Sequence, residues 1–184
     1  MSEDFSFALT QEEKDYLKAL VRKSILCRFN QKEEEIPEPV TELLRENYGA
    51  FVTLNMNGNL RGCIGNVQGT GPLYKTIWKM ARAAAFEDPR FPALSMEEFE
   101  NIEIEISILS PIDICKDVEQ IVIGRHGLIM QRGMQSGLLL PQVAVDWKWD
   151  REQFLAQTCN KAGMEPDAWK DPATNIFWFE AEVF

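Results

Sequence analysis

Asn57-Gly58 lies between two runs of strand-forming residues, 50–56 and 59–64, and no other dipeptide in the chain constrains the fold as tightly. A two-residue type I′ turn needs both central residues at positive φ, which Asn and Gly tolerate, and its twist matches that of an antiparallel ribbon. A hairpin over residues 50–64 is therefore predicted. With Asn57 and Gly58 at the turn centre, Asn59 faces Met56, Arg61 faces Leu54 and Cys63 faces Val52. In that register Arg61 and Cys63 share one face of the ribbon. Gly62 and Gly65 could insert a bulge and shift the pairing.

Helical patterns surround the hairpin. Residues 10–29 open with Thr10 and Glu13 in capping-box spacing, and Leu17, Leu20, Val21, Ser24 and Ile25 line one face. An acidic, proline-containing connector over residues 32–39 and a short helical stretch near 41–47 follow. Pro72 suits the first turn of a second helix reaching Phe86, with Leu73, Ile77, Met80, Ala81 and Ala84 inward, and Asp88-Pro89 ends it. Ser95 with Glu98 caps a short helical turn. Ile102, Ile104, Ile106 and Ile108 then alternate with Glu103, Glu105 and Ser107, a strand with one buried and one wet face. Residues 121–123, 128–131 and 138–140 read as short strands. Asp150 with Gln153 opens a last helix closed by Gly163, and residues 175–184 form a terminal strand. Helices interspersed among hairpins, without regular βαβ alternation, give the class α+β.

A chain of 184 residues can bury a core without disulfides or a structural metal. It reads as a single domain over residues 1–184. No apolar run reaches the roughly 20 residues of a membrane span. The opening Met1-Ser2-Glu3-Asp4 is acidic where a secretory signal is basic, so the expected location is cytoplasmic. The net charge of −10 argues against general nucleic-acid binding. Cys27, Cys63, Cys115 and Cys159 form no CxxC pair and read as reduced thiols. With one histidine, His126, the chain lacks the ligand cluster of His-rich zinc sites, so no metal site is expected.

Charge is unevenly spread. Residues 47–86 hold no acid but carry Arg61, Lys75, Lys79 and Arg82; residues 120–145 hold none but carry Arg125, His126 and Arg132. Core strands exclude acids in any case, yet both stretches could also line a hollow that takes a small anionic ligand. Cys63 alone among the cysteines is flanked by glycines and an arginine. Gly62 and Gly65 would let a ligand approach the backbone, and Arg61 would favour the Cys63 thiolate. His126 could serve Cys63 as general base, while Asp88 and Arg90 could pair with each other or complete a site. The plainer readings are a buried cysteine, a turn histidine and a rigid helix exit.

Leu60-Arg61-Gly62-Cys63-Ile64-Gly65 resembles the six-residue signature of the AMMECR family, also called AmmeMemoRadiSam system protein A. The likeness continues through Ala84-Ala85-Phe86, Asp88, Arg90-Phe91-Pro92, Ile106-Ser107, Leu109-Ser110-Pro111, the turn with His126-Gly127, and Leu140-Pro141-Gln142-Val143-Ala144. Gln142 departs from the pattern, since relatives often carry Glu there. The resemblance implies a compact α+β domain with two unequal subdomains and the signature hairpin at a cleft. It places Arg61, Gly62, Cys63 and Gly65 at the presumed site, joined by Asp88, Arg90 and His126. It also implies association with a Memo-type protein and a radical SAM protein. It supplies no reaction or cofactor. Two functions remain: an enzyme or enzyme component centred on Cys63, or a non-catalytic module that binds a ligand or a protein.

Overall fold

A computed structural model describes residues 8–32 and 34–184; the acidic opening 1–4 and Glu33 of the connector lie outside the described residues. The chain forms two compact units. The first comprises residues up to Leu109 together with Glu182–Phe184, and the second Ser110–Ala181.

The first unit begins with α1 (Gln11–Phe29), whose N-cap Thr10 and Glu13 complete the expected capping box. The hairpin follows as β1 (Gly49–Met56) and β2 (Asn59–Asn66), with Asn57 at φ 53° and Gly58 at φ 74°, as a type I′ turn requires. Next come α2 (Leu73–Phe86), α3 (Met96–Asn101) and β3 (Glu103–Leu109). β1 pairs antiparallel with both β2 and β3, which leaves β2 on an edge. Leu17, Leu20, Val21 and Ile25 of α1 and Leu73, Ile77, Ala81 and Ala84 of α2 share a core with Val52, Leu54, Ile106 and Ile108. Each of the valine, leucine and isoleucine side chains among them contributes about 1.5–3 kcal/mol on burial. The strand face read as wet is only partly so: Ser107 is 1% exposed.

The register differs from the expected one. Met56 pairs with Asn59 and Asn55 with Leu60, but then Leu54 pairs with Gly62, Thr53 with Cys63 and Val52 with Ile64. Arg61 is the extra residue of a β-bulge. Gly62 and Ile64 therefore lie in the rows of Leu54 and Val52, facing the helices, and Cys63 lies on the opposite face. Arg61 and Cys63 do not form the side-by-side pair that an unbroken ladder would give.

In the second unit, β4 (Asp113–Ile114) and β5 (His126–Arg132) pair with β7 (Asn175–Val183), and β6 (Gln135–Leu139) pairs with β5, all antiparallel. α4 (Pro141–Asp146) and α5 (Arg151–Lys161) complete it, and Gly163 at φ 73° ends α5 as expected. Leu128, Met130, Phe154, Leu155, Cys159 and Ile176 form its core. Residues 121–123 are not a strand. The Ile121 N–H donates to the Val118 carbonyl at 3.2 Å, and the Val122 N–H donates to His126 Nδ1 at 3.1 Å, so this backbone is committed to a turn. Among the described residues, no helix is long and apolar enough to cross a membrane.

Candidate functional site

Cys63 is half-buried, whereas Cys27, Cys115 and Cys159 are buried. Its backbone is held from outside the sheet. The Cys63 N–H donates to Asp88 Oδ2 at 2.9 Å, and Arg90 Nη2 donates to the Cys63 carbonyl at 3.1 Å. Two side chains from the segment after α2 thus do for the β2 edge what a neighbouring strand would do. Because both backbone groups of Cys63 turn away from β1, Thr53 and Cys63 form a non-hydrogen-bonded pair, in which cross-strand side chains come closest. The Thr53 hydroxyl accordingly lies 3.2 Å from Cys63 Sγ and donates to it.

Asp88 is 4% exposed and fully engaged. Besides the Cys63 amide it accepts from the Arg90 N–H at 3.1 Å, Arg90 Nε at 2.9 Å and Arg90 Nη2 at 2.7 Å. The guanidinium holds the Asp88 carboxyl well below the usual carboxylate range, against the opposing effect of burial. Asp88 therefore remains an ionised acceptor and not a proton donor. The Arg90 side chain is 54% exposed, so one side of the guanidinium still meets solvent.

Arg61 is 7% exposed and makes a two-pronged ion pair with Glu98, Nε to Oε1 at 2.8 Å and Nη2 to Oε2 at 2.9 Å. Glu98 also accepts from the Ser95 N–H at 2.8 Å, so one carboxylate both caps α3 and neutralises the bulge arginine. The guanidinium is committed to Glu98 and not offered to the thiol, which corrects the sequence expectation. Arg61 and the Ser95 amide lower the Glu98 pKa to about 2. A carboxyl whose folded pKa is depressed contributes stability above its unfolded pKa, and that contribution drains as pH falls toward the folded value. The stability gap between wild type and Arg61→Gln should therefore be full above pH 4.5 and narrow toward pH 2. Denaturant unfolding at several pH values measures it; a gap that does not change with pH would refute this account.

Three arginines of the acid-free stretches meet acids from outside them. Arg61 meets Glu98, Arg125 meets Glu180 at 2.8 Å and Arg132 meets Asp171 at 3.2 Å. Arg82 packs over Trp78, 5.1 Å from the ring centroid, and donates to the Ser24 carbonyl, a structural role. α2 covers the hairpin face opposite the Cys63 side chain, so its Lys75 and Lys79 do not line the sulfur's face.

His126 belongs to the second unit. Its Nδ1 accepts the Val122 N–H, and its ring lies 4.8 Å from that of Trp178. Burial, and then Arg125, lower its pKa. An imidazole that accepts at Nδ1 carries its proton on Nε2, so this ring presents a donor and not a free base. Gln142, at the start of α4, has a buried Oε1 without a hydrogen-bond partner among the described residues. Among those residues, too, no group of three or more His, Cys, Asp or Glu could hold a metal ion.

The AMMECR1 family profile matches residues 18–184. The chain belongs to the AMMECR1 family. Protein PF1979 of Pyrococcus furiosus is 42% identical across 97% of this chain and 90% of its own length. Protein NEQ441 of Nanoarchaeum equitans is 40% identical across 91% of this chain and 97% of its own. The crystal structure of uncharacterized protein PH0010 from Pyrococcus horikoshii superposes with a TM-score of 0.86 at 41% identity, covering 95% of this chain and 92% of that one. The α+β class read from the sequence is the class of this AMMECR1 chain. Sequence reasoning did not single out Thr53 as a site residue, and it read Glu98 as a helix cap alone. The unbroken register sets Val52 opposite Cys63, so only the bulge brings Thr53 to the thiol; nothing local marks Glu98 as the partner of Arg61.

Proposed function

We propose that this AMMECR1 protein is an enzyme or enzyme component built on the Cys63 thiol and acting on a small anionic substrate. The observation that carries this reading is the Thr53 hydroxyl donating to the sulfur of the one half-buried cysteine. A hydroxyl donor stabilises a thiolate, the form of the sulfur that attacks an electrophile. Arg90, with its exposed guanidinium surface beside the Cys63 carbonyl, replaces Arg61 as the group that meets the substrate's anion. Gly62 and Gly65 belong to the same strand, but Gly62 is turned toward α2. Association with Memo-type and radical SAM proteins rests on the family likeness.

The test is alkylation of the native protein by iodoacetamide, with each cysteine followed by peptide mass spectrometry. Cys63 should react at least about tenfold faster than glutathione at pH 7, and the buried cysteines hardly at all. A Cys63 no faster than glutathione would remove it from chemistry. One observation favours a second reading, the non-catalytic binding module: Arg61, Glu98 and Asp88 are held in ion pairs, and what stays open to a ligand is the exposed side of Arg90. A Cys63→Ser variant that restores a deletion strain as well as wild type decides for that module, and one that fails decides for the thiol.

A further inference from the structure

The row that holds Cys63 and Thr53 continues onto β3. Thr53 pairs with Cys63 on one side and with Glu105 on the other, so a thiol, a hydroxyl and a carboxylate stand in line across three adjacent strands on one sheet face. The backbone geometry sets the spacing. Because Thr53–Cys63 is a non-hydrogen-bonded pair, the Thr53 N–H and C=O point to β3, and Thr53–Glu105 is a hydrogen-bonded pair with Cα atoms about 5.5 Å apart. A glutamate side chain spans that interval. Glu105 is half-buried, and among the described residues its side chain makes no hydrogen bond or ion pair, unlike those of Asp88 and Glu98 nearby. Glu103, two residues earlier on the same face, is exposed. Glu105 is therefore the uncommitted carboxylate next to the thiol–hydroxyl pair.

We propose that Glu105 is the acid–base group of the Cys63 site and exchanges the thiol proton through the Thr53 hydroxyl. This rests on the reading of Cys63 as a reactive thiol. A hydroxyl rotates freely, so the same 3.2 Å contact serves with Thr53 as donor or as acceptor of the S–H proton. In the step, the Glu105 side chain turns toward Thr53, the Cys63 S–H proton passes to Thr53 Oγ1, and the Thr53 hydroxyl proton passes to the Glu105 carboxylate. The products are a thiolate, an intact hydroxyl and a neutral carboxylic acid. A carboxylate is a weaker base than a thiolate, so the transfer runs with S–C bond formation and does not yield a resting ion pair. The sulfur lone pair forms a bond to an electrophilic carbon, such as an acyl carbon. Protonated Glu105 then returns its proton to the group that leaves that carbon. His126, whose Nδ1 is engaged by Val122, is not needed as the base.

Iodoacetamide alkylation of Cys63 at pH 6 and pH 9 tests the relay in the full chain, because base assistance matters only where solution hydroxide is scarce. Glu105→Gln should slow Cys63 at least about tenfold at pH 6 and less than about twofold at pH 9. Thr53→Val should behave the same way, Thr53→Ser should restore the rate, and Glu103→Gln should leave it at wild type. Circular dichroism identifies any variant that has lost its fold, and Glu105→Asp, slower than wild type but faster than Glu105→Gln at pH 6, then supplies the comparison. If Glu105 were only a negative charge, its removal would speed alkylation at pH 6, and that result overturns the proposal. An unchanged rate in Glu105→Gln, with Cys63 still faster than glutathione in the wild type, overturns the relay and spares the thiol. A wild-type Cys63 no faster than glutathione overturns both.

Discussion

Gly62→Ala should cost the first unit about 4 kcal/mol or more, enough to consume much of the 5–15 kcal/mol a domain of this kind possesses. A Cβ at position 62 would stand 2.1 Å from the Ala84 carbonyl oxygen and 3.1 Å from its carbon. Both are backbone atoms near the end of α2, so no side chain can swing aside. β2 would have to withdraw from α2, opening the core around Leu54 and Ala84. The denaturant midpoint should fall steeply, and soluble yield with it. Gly71→Ala is the control, since a Cβ there meets nothing within 4 Å. Equal midpoints for the two variants would mean that the close approach of β2 to α2 is wrong.

Asp88→Ala should destabilise by about 3 kcal/mol. The substitution strands the Cys63 N–H, which has its acceptor in Asp88 Oδ2, at a cost of about 1–3 kcal/mol. It also releases Arg90, although that guanidinium, already half exposed, recovers part of the loss by hydration. Asp88→Asn keeps the shape and an acceptor but discards the charge, and should lose roughly half as much. The β2 edge would then present unpaired groups, so Asp88→Ala should also self-associate more readily, as light scattering can follow. A variant with wild-type unfolding and no added scattering would show that the clamp on Cys63 holds nothing together.

Features set by short-range chemistry were legible before the fold was known. Asn57-Gly58 specifies its turn through allowed φ values, and Thr10–Glu13, Ser95–Glu98 and Asp150–Gln153 specify helix starts through side-chain bonds three residues apart. What depended on distant partners was not. The bulge at Arg61 fits Gly62 against Ala84 and Arg61 to Glu98, and both partners lie outside the hairpin, beyond the reach of local pattern. Residues 121–123 have strand-like side chains, but His126 takes an amide that a ladder would need. α4 is six residues long, too short for its periodicity to stand out. Asp88 and Arg90 were singled out as a pair, yet their grip on both backbone groups of Cys63 became visible only once β2 was known to be an edge. Thr53 and Glu105 look like ordinary polar positions in alternating strands, and only the row they share with Cys63 distinguishes them.

The additional residue in β2 acts as a parity switch. Counted from the turn, an uninterrupted ladder sets Cys63 across from Val52, interred beneath the helices; one supernumerary position inverts every side chain beyond it and delivers the sulfur to the far surface. Orientation of the thiol is thus encoded by an odd or even tally and not by the identity of Cys63. Excising one residue between Leu60 and Cys63 would point the thiol inward while leaving its chemistry untouched, whereas lengthening the loop beyond Met56 would leave its orientation alone.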